Sequence, residues 1–316
     1  MKLLPIFDDR FEDNGKSKEN LRIMRGQVAS FLTRLLNYAD EAFEHCFKKG
    51  EKLGRWTDCS LMSLARHTLV YLDGITVHFS SGSVECCPPL IRSMLEATLG
   101  IAHIAQAHHE ERALAYNLSR VMRNIKFNRM GDATTNAGKA LRDELTTDAF
   151  IPDFFKKLPP GIGKRADDLE TSLNADPTYA PILAEWNRLK GKQDPEWFTL
   201  FGGAKPARSV RSLAKNLNWL ALYAFVYKPF SDSVHAGNAL EMYVTSDKSL
   251  RPLRYPARYA DYLNTTFVIF IHALERLARF YDDSMGLQVR RHTQLVLMPE
   301  LVELDKRLEH AVGEYK

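Results

Sequence analysis

Apolar side chains recur at intervals of three and four along most of this chain, which is the spacing of one helix face. The pattern is clearest over residues 18–49, where its stripe includes Met24, Phe31 and Leu35. Ser17 suits the N-cap of this helix, and Gly50 suits the position after its last turn. The same pattern predicts further helices over about 57–72, 88–104, 110–130, 167–173, 180–189, 207–216, 217–235, 257–282 and 299–313.

Glycine and proline mark where these helices begin, bend or end. Gly74 is predicted to bend or end the second helix, the prolines at 88–89 to open the third, and Pro229 to disturb a later one. Residues 148–164 and 246–256 read as loops, and 290–298 is the best strand candidate. The pattern predicts an all-α fold, a multi-helix bundle with mostly antiparallel neighbouring helices. We expect a single domain over 1–316, with a sub-division near 150–165 and 191–206 as the alternative.

Composition places the chain among ordinary globular proteins, with 316 residues, 45% hydrophobic and 26% charged. Its apolar runs are shorter than the roughly 20 residues that span a bilayer. Its four cysteines, Cys46, Cys59, Cys86 and Cys87, have no metal-site spacing and read as reduced thiols. We therefore expect a soluble cytoplasmic protein with no membrane partner, no metal and no cofactor.

Positive charge is concentrated in one interval, although the net charge of the whole chain is only +4. Glu196 and Asp232 enclose a stretch without any acidic residue, and eight aromatic residues lie within it. Its basic residues are Lys205, Arg208, Arg211, Lys215 and Lys228, of which Arg208, Arg211 and Lys215 share one helix face. Such a stretch favours a phosphate-bearing partner, RNA or another nucleic acid. A solvated basic face over an aromatic core is the alternative.

A second interval without acidic residues runs from Arg112 to Met130 and carries five basic residues. Their spacing of about three distributes them around the helix. Arg112 is a candidate for phosphate contact at the start of this interval, and a solvated helix surface is the alternative.

His235 is the candidate acid or base. Helical metal-independent ribonucleases of the HEPN class carry an arginine, four to six other residues and then a histidine. No histidine here has an arginine at that distance, and His235 has Lys228 instead. The histidine would transfer protons of the ribose hydroxyl, and the lysine would hold the phosphate. Ser231 would share a helix face with His235, and a structural histidine is the alternative.

Arg92 and Glu96 lie four residues apart on a predicted helix that otherwise reads as buried. They predict either a polar cluster within the bundle or an ordinary surface pair. Other motifs are absent from the sequence: there is no Glu-x-x-His, no P-loop and no Gly-x-Ser-x-Gly. His103, His108 and His109 match no standard metal spacing.

Two segments together resemble a family. Residues 89–97, with Arg92 and Glu96, are similar to one signature of the bacterial all-helical domain-of-unknown-function family 5677. The segment from Trp197 to His235, which includes Tyr223 and Tyr227, is similar to the second signature, and the resemblance covers about 61–240. The resemblance implies an all-helical fold with HEPN-like character and a setting in prokaryotic defence or toxin–antitoxin systems. It also implies one shared site, formed by Arg92, Glu96, Tyr227, Ser231 and His235.

We therefore expect a HEPN-like, RNA-acting protein, a metal-independent ribonuclease. In this hypothesis His235, Lys228, Arg92 and Glu96 act in catalysis. The binding residues would be Tyr227, Ser231, Asp232, Arg208, Arg211, Lys215 and Arg112. Its partners would be RNA, a second copy in a homodimer with a composite site, and a protein encoded in the same operon. The alternative is a non-catalytic helical protein that binds nucleic acid or a partner and uses the polar cluster for structure.

Overall fold

Helices make up nearly all of the residues that the computed structural model of this chain describes. The structure describes residues 17–51, 55–145, 161–191, 194–203, 205–234, 243–244, 249–250 and 256–313. Its main helices are α1 (Ser17–Glu51), α2 (Trp56–Ser81), α3 (Cys87–Ile104), α4 (His109–Gly131), α5 (Asn136–Glu144), α6 (Ile162–Ala175) and α7 (Ala180–Leu189). They are followed by α8 (Val210–Asn216), α9 (Leu220–Leu222), α10 (Lys228–Val234), α11 (Tyr259–Tyr281), α12 (Asp283–His292) and α13 (Met298–Gly313).

The predicted all-α class is confirmed. The described β-structure is one antiparallel pair of two-residue strands, β1 (Tyr243–Val244) and β2 (Ser249–Leu250). The prediction of a strand at 290–298 is wrong, because this segment is helical throughout.

Gly74 does not end its helix. A Cβ there would lie 3.3 Å from the Cδ1 atom of Leu90, so this glycine lets α3 pack close to α2.

The predicted loop at 148–164 is wrong at its end, because α6 begins at Ile162 and the helix includes Lys164. Residues 146–160 lie outside the described part of the chain. The helix predicted to start at 207 begins at Val210.

The described residues group into two compact units, one with residues up to 107 and from 210 onward, the other with 108–209. In the first unit, the buried stripe of α1 packs against α2 and α11, with the rings of Phe31 and Phe267 5.9 Å apart. At one end, Tyr259 packs edge-on against Phe79 at 5.3 Å and accepts a hydrogen bond from Arg25 Nε at 3.2 Å.

Helix α3 lies against α2, α11 and α10, and most of its residues are buried. Beyond Pro88, its open positions are Pro89, Leu90, Arg92, Ser93 and Glu96. All of these except Leu90 recur at intervals of three and four, so they form one stripe along the helix. Arg92 and Glu96 therefore lie on the open side of an otherwise buried helix.

Two five-residue π-turns, Tyr223–Tyr227 and Thr293–Leu297, interrupt the helices, and each is followed after one residue by a proline. The N–H of Lys228 bonds to the carbonyl of Tyr223, and that of Met298 to the carbonyl of Thr293. Proline lacks an N–H, and its ring clashes with the carbonyl four residues before it. A wider turn relieves that clash. The expected disturbance at Pro229 thus takes the form of the first π-turn.

The second unit has its own core, formed by α4, α6, α7 and the segment near Leu200. Leu114, Leu118, Ile182 and Trp186 are buried in it. Arg112 is also buried, and its guanidinium donates to the carbonyl oxygen of Phe201 at 3.4 Å. None of the described helices in either unit is long and apolar enough to cross a membrane.

Candidate functional site

The candidate site joins α3 to the first π-turn. The Arg92 guanidinium donates from Nε to Glu96 Oε1 at 3.3 Å and from Nη2 to the Tyr227 hydroxyl at 3.0 Å. Its carbon Cζ also lies 4.7 Å from the centre of the Tyr227 ring, within the range of a cation–π contact. Arg92 therefore connects two segments that are 135 residues apart in sequence.

Tyr223 extends this cluster. Its ring stacks on that of Tyr227, with centroids 5.2 Å apart and planes 18° from parallel. The two tyrosines are the first and last residues of the π-turn. The sequence placed Tyr223 in the aromatic, basic stretch and in the segment that resembles the family, but not among the candidate site residues.

Burial raises the pKa of the Tyr227 hydroxyl, and the negative charge of Glu96 raises it further, against the opposing effect of Arg92. The phenol is therefore protonated at neutral pH and can donate a hydrogen bond while it accepts one from Arg92. The Arg92 side chain is 21% exposed and that of Glu96 is 46% exposed. The Arg92–Glu96 pair is therefore half open to solvent. Its exposure is intermediate between the two alternatives that the sequence left open, a buried polar cluster and an ordinary surface pair.

The remaining predicted residues of the segment differ in exposure. Lys228 and Asp232 are exposed, and Ser231 is partly buried on α10, the helix that packs against α3. Phe225, in the π-turn, is 79% exposed. The exposed positions from 220 to 232 recur every four residues and form one face, which carries Phe225 and Lys228. His235 lies outside the described residues, so its role as acid or base stays a prediction.

The other candidate binding residues are not all accessible. Arg211 and Lys215 are exposed on α8, which contacts both α3 and the first π-turn. Arg208 is exposed in the second unit. Arg112 is buried, and burial lowers the pKa of its guanidinium, so it is not part of an exposed basic face.

The part of the chain that the structure describes contains no candidate metal-binding site. No group of three or more His, Cys, Asp and Glu side chains there is arranged to hold a metal ion. The four cysteines are free thiols, with Cys46 and Cys87 buried.

A search of protein-family models matches residues 58–249 to a family of unknown function, DUF5677. The chain belongs to this family. The match contains both segments that meet at Arg92 and Tyr227, and it agrees with the resemblance expected from residues 89–97 and 227–235. Searches among curated proteins and among solved structures gave no match.

A second polar cluster, which the sequence did not predict, lies in the first unit. Asp58 is 5% exposed and accepts hydrogen bonds from Arg55 Nε at 3.1 Å, Arg55 Nη2 at 3.0 Å and the Tyr281 hydroxyl at 2.8 Å. Burial would raise the pKa of Asp58, but these hydrogen bonds outweigh it and the pKa lies below its usual range. A usable signal was the three-residue spacing of Arg55 and Asp58 at the start of α2.

Proposed function

We propose that this protein acts on RNA as a metal-independent endoribonuclease, with Arg92, Glu96 and Tyr227 in its site. The observation that carries the proposal is the Arg92–Tyr227 contact, a hydrogen bond and a cation–π contact between two separate segments of the family-matched region. A role in bacterial defence is part of the proposal and rests on the family resemblance alone.

Cleavage of RNA without a metal requires a base for the 2′-hydroxyl proton, an acid for the leaving 5′-oxygen and positive charge at the phosphate. Arg92 would supply that charge, because its guanidinium is both fixed in orientation and partly open to solvent. Glu96 and His235 would exchange the protons. Tyr227 is a positioning residue, which holds the guanidinium by its hydroxyl and by its ring.

Binding of the RNA chain would use the exposed groups beside this cluster. Lys228, Arg211 and Lys215 offer positive charge to phosphates, and Phe225 offers a ring on which an unpaired base can stack. Phe225 and Tyr227 belong to the same π-turn. π-turns inside α-helices occur frequently at functional sites, which agrees with this assignment.

A structural, non-catalytic role is the alternative, and one observation favours it. Two donor groups of Arg92 are already bonded to protein side chains, as expected of a cluster that fastens two helices together. In that case the protein would be a helical nucleic-acid-binding or partner-binding module.

Incubation of the purified protein with labelled RNA in EDTA separates these roles. We expect cleavage by the native chain and its loss in Arg92→Gln, Glu96→Gln and His235→Ala. The matched control is the pair Arg307 and Glu303, which has the same four-residue spacing, an Nε–Oε1 distance of 3.0 Å and a position outside the family match. Arg307→Gln should cut RNA like the native chain. Absence of cleavage in the native chain, or unchanged cleavage in Arg92→Gln, contradicts the proposal.

A further inference from the structure

A cavity of about 480 Å³ lies within the second unit, remote in sequence from Arg92 and Tyr227. It is bordered by α4, by the end of α7 and by the segment at 194–197, and its volume is that of a small-ligand site. Its walls contain basic, acidic and aromatic side chains together, and each kind limits what the cavity can hold.

The basic side chains are Arg123 and Lys126 on α4 and Lys190 at the end of α7. Arg123 and Lys126 are three residues apart, so they lie on one helix face, and both are exposed. The Nζ atom of Lys190 lies 3.6 Å from Oδ1 of Asp194. A guanidinium beside an ammonium group favours a phosphate, for which arginine offers two parallel donors.

The aromatic wall is Trp197, which is partly buried. Its ring makes edge contacts with Tyr116 at 5.2 Å and with Phe198 at 5.8 Å, and these neighbours hold it in place. A fixed indole ring beside a cavity offers a surface on which a nucleobase can stack.

Trp186 also lines the cavity, and its side chain is 3% exposed. Its indole Nε1 is buried and has no hydrogen-bond acceptor among the residues that the structure describes, so Trp186 contributes its packed ring to the wall and not a hydrogen-bond donor.

The acidic side chains, Asp194 and Glu196, exclude a simple polyanion. They are exposed at the cavity, and their carboxylates accept hydrogen bonds from amino groups. A ligand that satisfies this wall must carry donor groups as well as negative charge. A nucleotide does so, through the amino group of its base and its phosphate.

We propose that this cavity binds a nucleoside monophosphate, with the phosphate at Arg123 and Lys126 and the base on Trp197. The nucleotide is either a free molecule or the terminal nucleotide of an RNA chain, since both present the same groups. The site is independent of the Arg92 cluster and does not require the protein to be a nuclease.

Calorimetric titration tests this with each nucleoside monophosphate, the matching nucleosides, inorganic phosphate and a short RNA with a terminal phosphate. We expect at least one nucleoside monophosphate to bind, and its nucleoside and phosphate alone to bind at least about tenfold more weakly. Competition by the short RNA assigns the site to a chain end, and a lack of competition assigns it to a free nucleotide.

Arg123→Ala with Lys126→Ala should lower this affinity at least about tenfold. The control is Arg120→Ala, an exposed arginine of the same helix that does not line the cavity. Saturable binding that survives the double substitution, equal loss in Arg120→Ala, or no binding at about 10 mM overturns the proposal.

Discussion

At the scale of single residues, the polar side chains of the first unit are stabilised by partners distant in sequence. Arg92 meets Tyr227, and Asp58 meets Tyr281, each across more than a hundred residues. Helical periodicity indicates which face of a helix is buried, but it does not indicate which helix covers that face. The sequence therefore predicted Arg92 and Glu96 as a pair, and their link to Tyr227 came from the family resemblance alone.

Asp58 provides a pH-dependent contribution to stability. Its pKa is lower in the folded protein than in the unfolded chain, so its contribution is present above pH of about 4 and is lost as the pH falls below that value. Asp58→Asn should lower the free energy of unfolding by about 2 kcal/mol at pH 7, because it weakens hydrogen bonds to a charged group. Urea denaturation at pH 7 and at pH 3 measures the difference. An equal effect of the substitution at both pH values contradicts this assignment.

At the scale of helices, sequence patterns predicted their existence better than their geometry. The apolar stripe of α1 predicts a helix, because residues at that spacing form one face, and the structure buries this face. The π-turn at Tyr223–Tyr227 has no comparable pattern, since a single wide turn shifts the apolar spacing at one point and sets no repeat. Pro229 indicated that a disturbance would occur, but the packing of the whole unit decides which form it takes.

The π-turn leads to a prediction about deletions. A π-turn holds one residue more than the α-helix it interrupts, so deletion of Ala224 should keep both flanks in phase, in a helix kinked where the Pro229 ring meets the carbonyl four residues before it. Deletion of the exposed residue Val70 in α2 should instead rotate everything after it by about 100° and expose the core. We expect cooperative thermal unfolding in the Ala224 deletion and none in the Val70 deletion, measured by circular dichroism. Loss of folding in both would show that the π-turn is required for the fold.

At the scale of the whole molecule, net charge is a poor guide to partners. The chain carries +4, yet Arg211, Lys215 and Lys228 are all exposed within one interval that has no acidic residue. The sequence shows this interval directly, but it did not reveal that Arg112 is buried in the second unit. Basic residues at regular spacing look alike in sequence, and only packing separates the buried one from the exposed ones.

RNA binding should therefore depend on salt to a limited degree. Four cations, Arg92 among them, that release counterions from a single strand give a slope of about −3 in a plot of log affinity against log salt concentration. Arg211→Ala with Lys215→Ala should reduce the slope to about −1.4. Fluorescence anisotropy of labelled RNA with the His235→Ala variant measures both values. A slope that the double substitution leaves unchanged would assign the RNA contact to another surface.

If Arg92 and Tyr227 act together on RNA, their effects on the cleavage rate are coupled. A double-mutant cycle of the cleavage rate measures that coupling. Arg92→Gln and Tyr227→Phe should each slow cleavage, and the double variant should be no slower than the slower single variant, because Tyr227 acts through Arg92. Tyr71→Phe, which removes another hydroxyl in a side-chain hydrogen bond, should leave the rate unchanged. Single-variant losses that multiply in the double variant, or a native rate in Tyr227→Phe, would contradict the account.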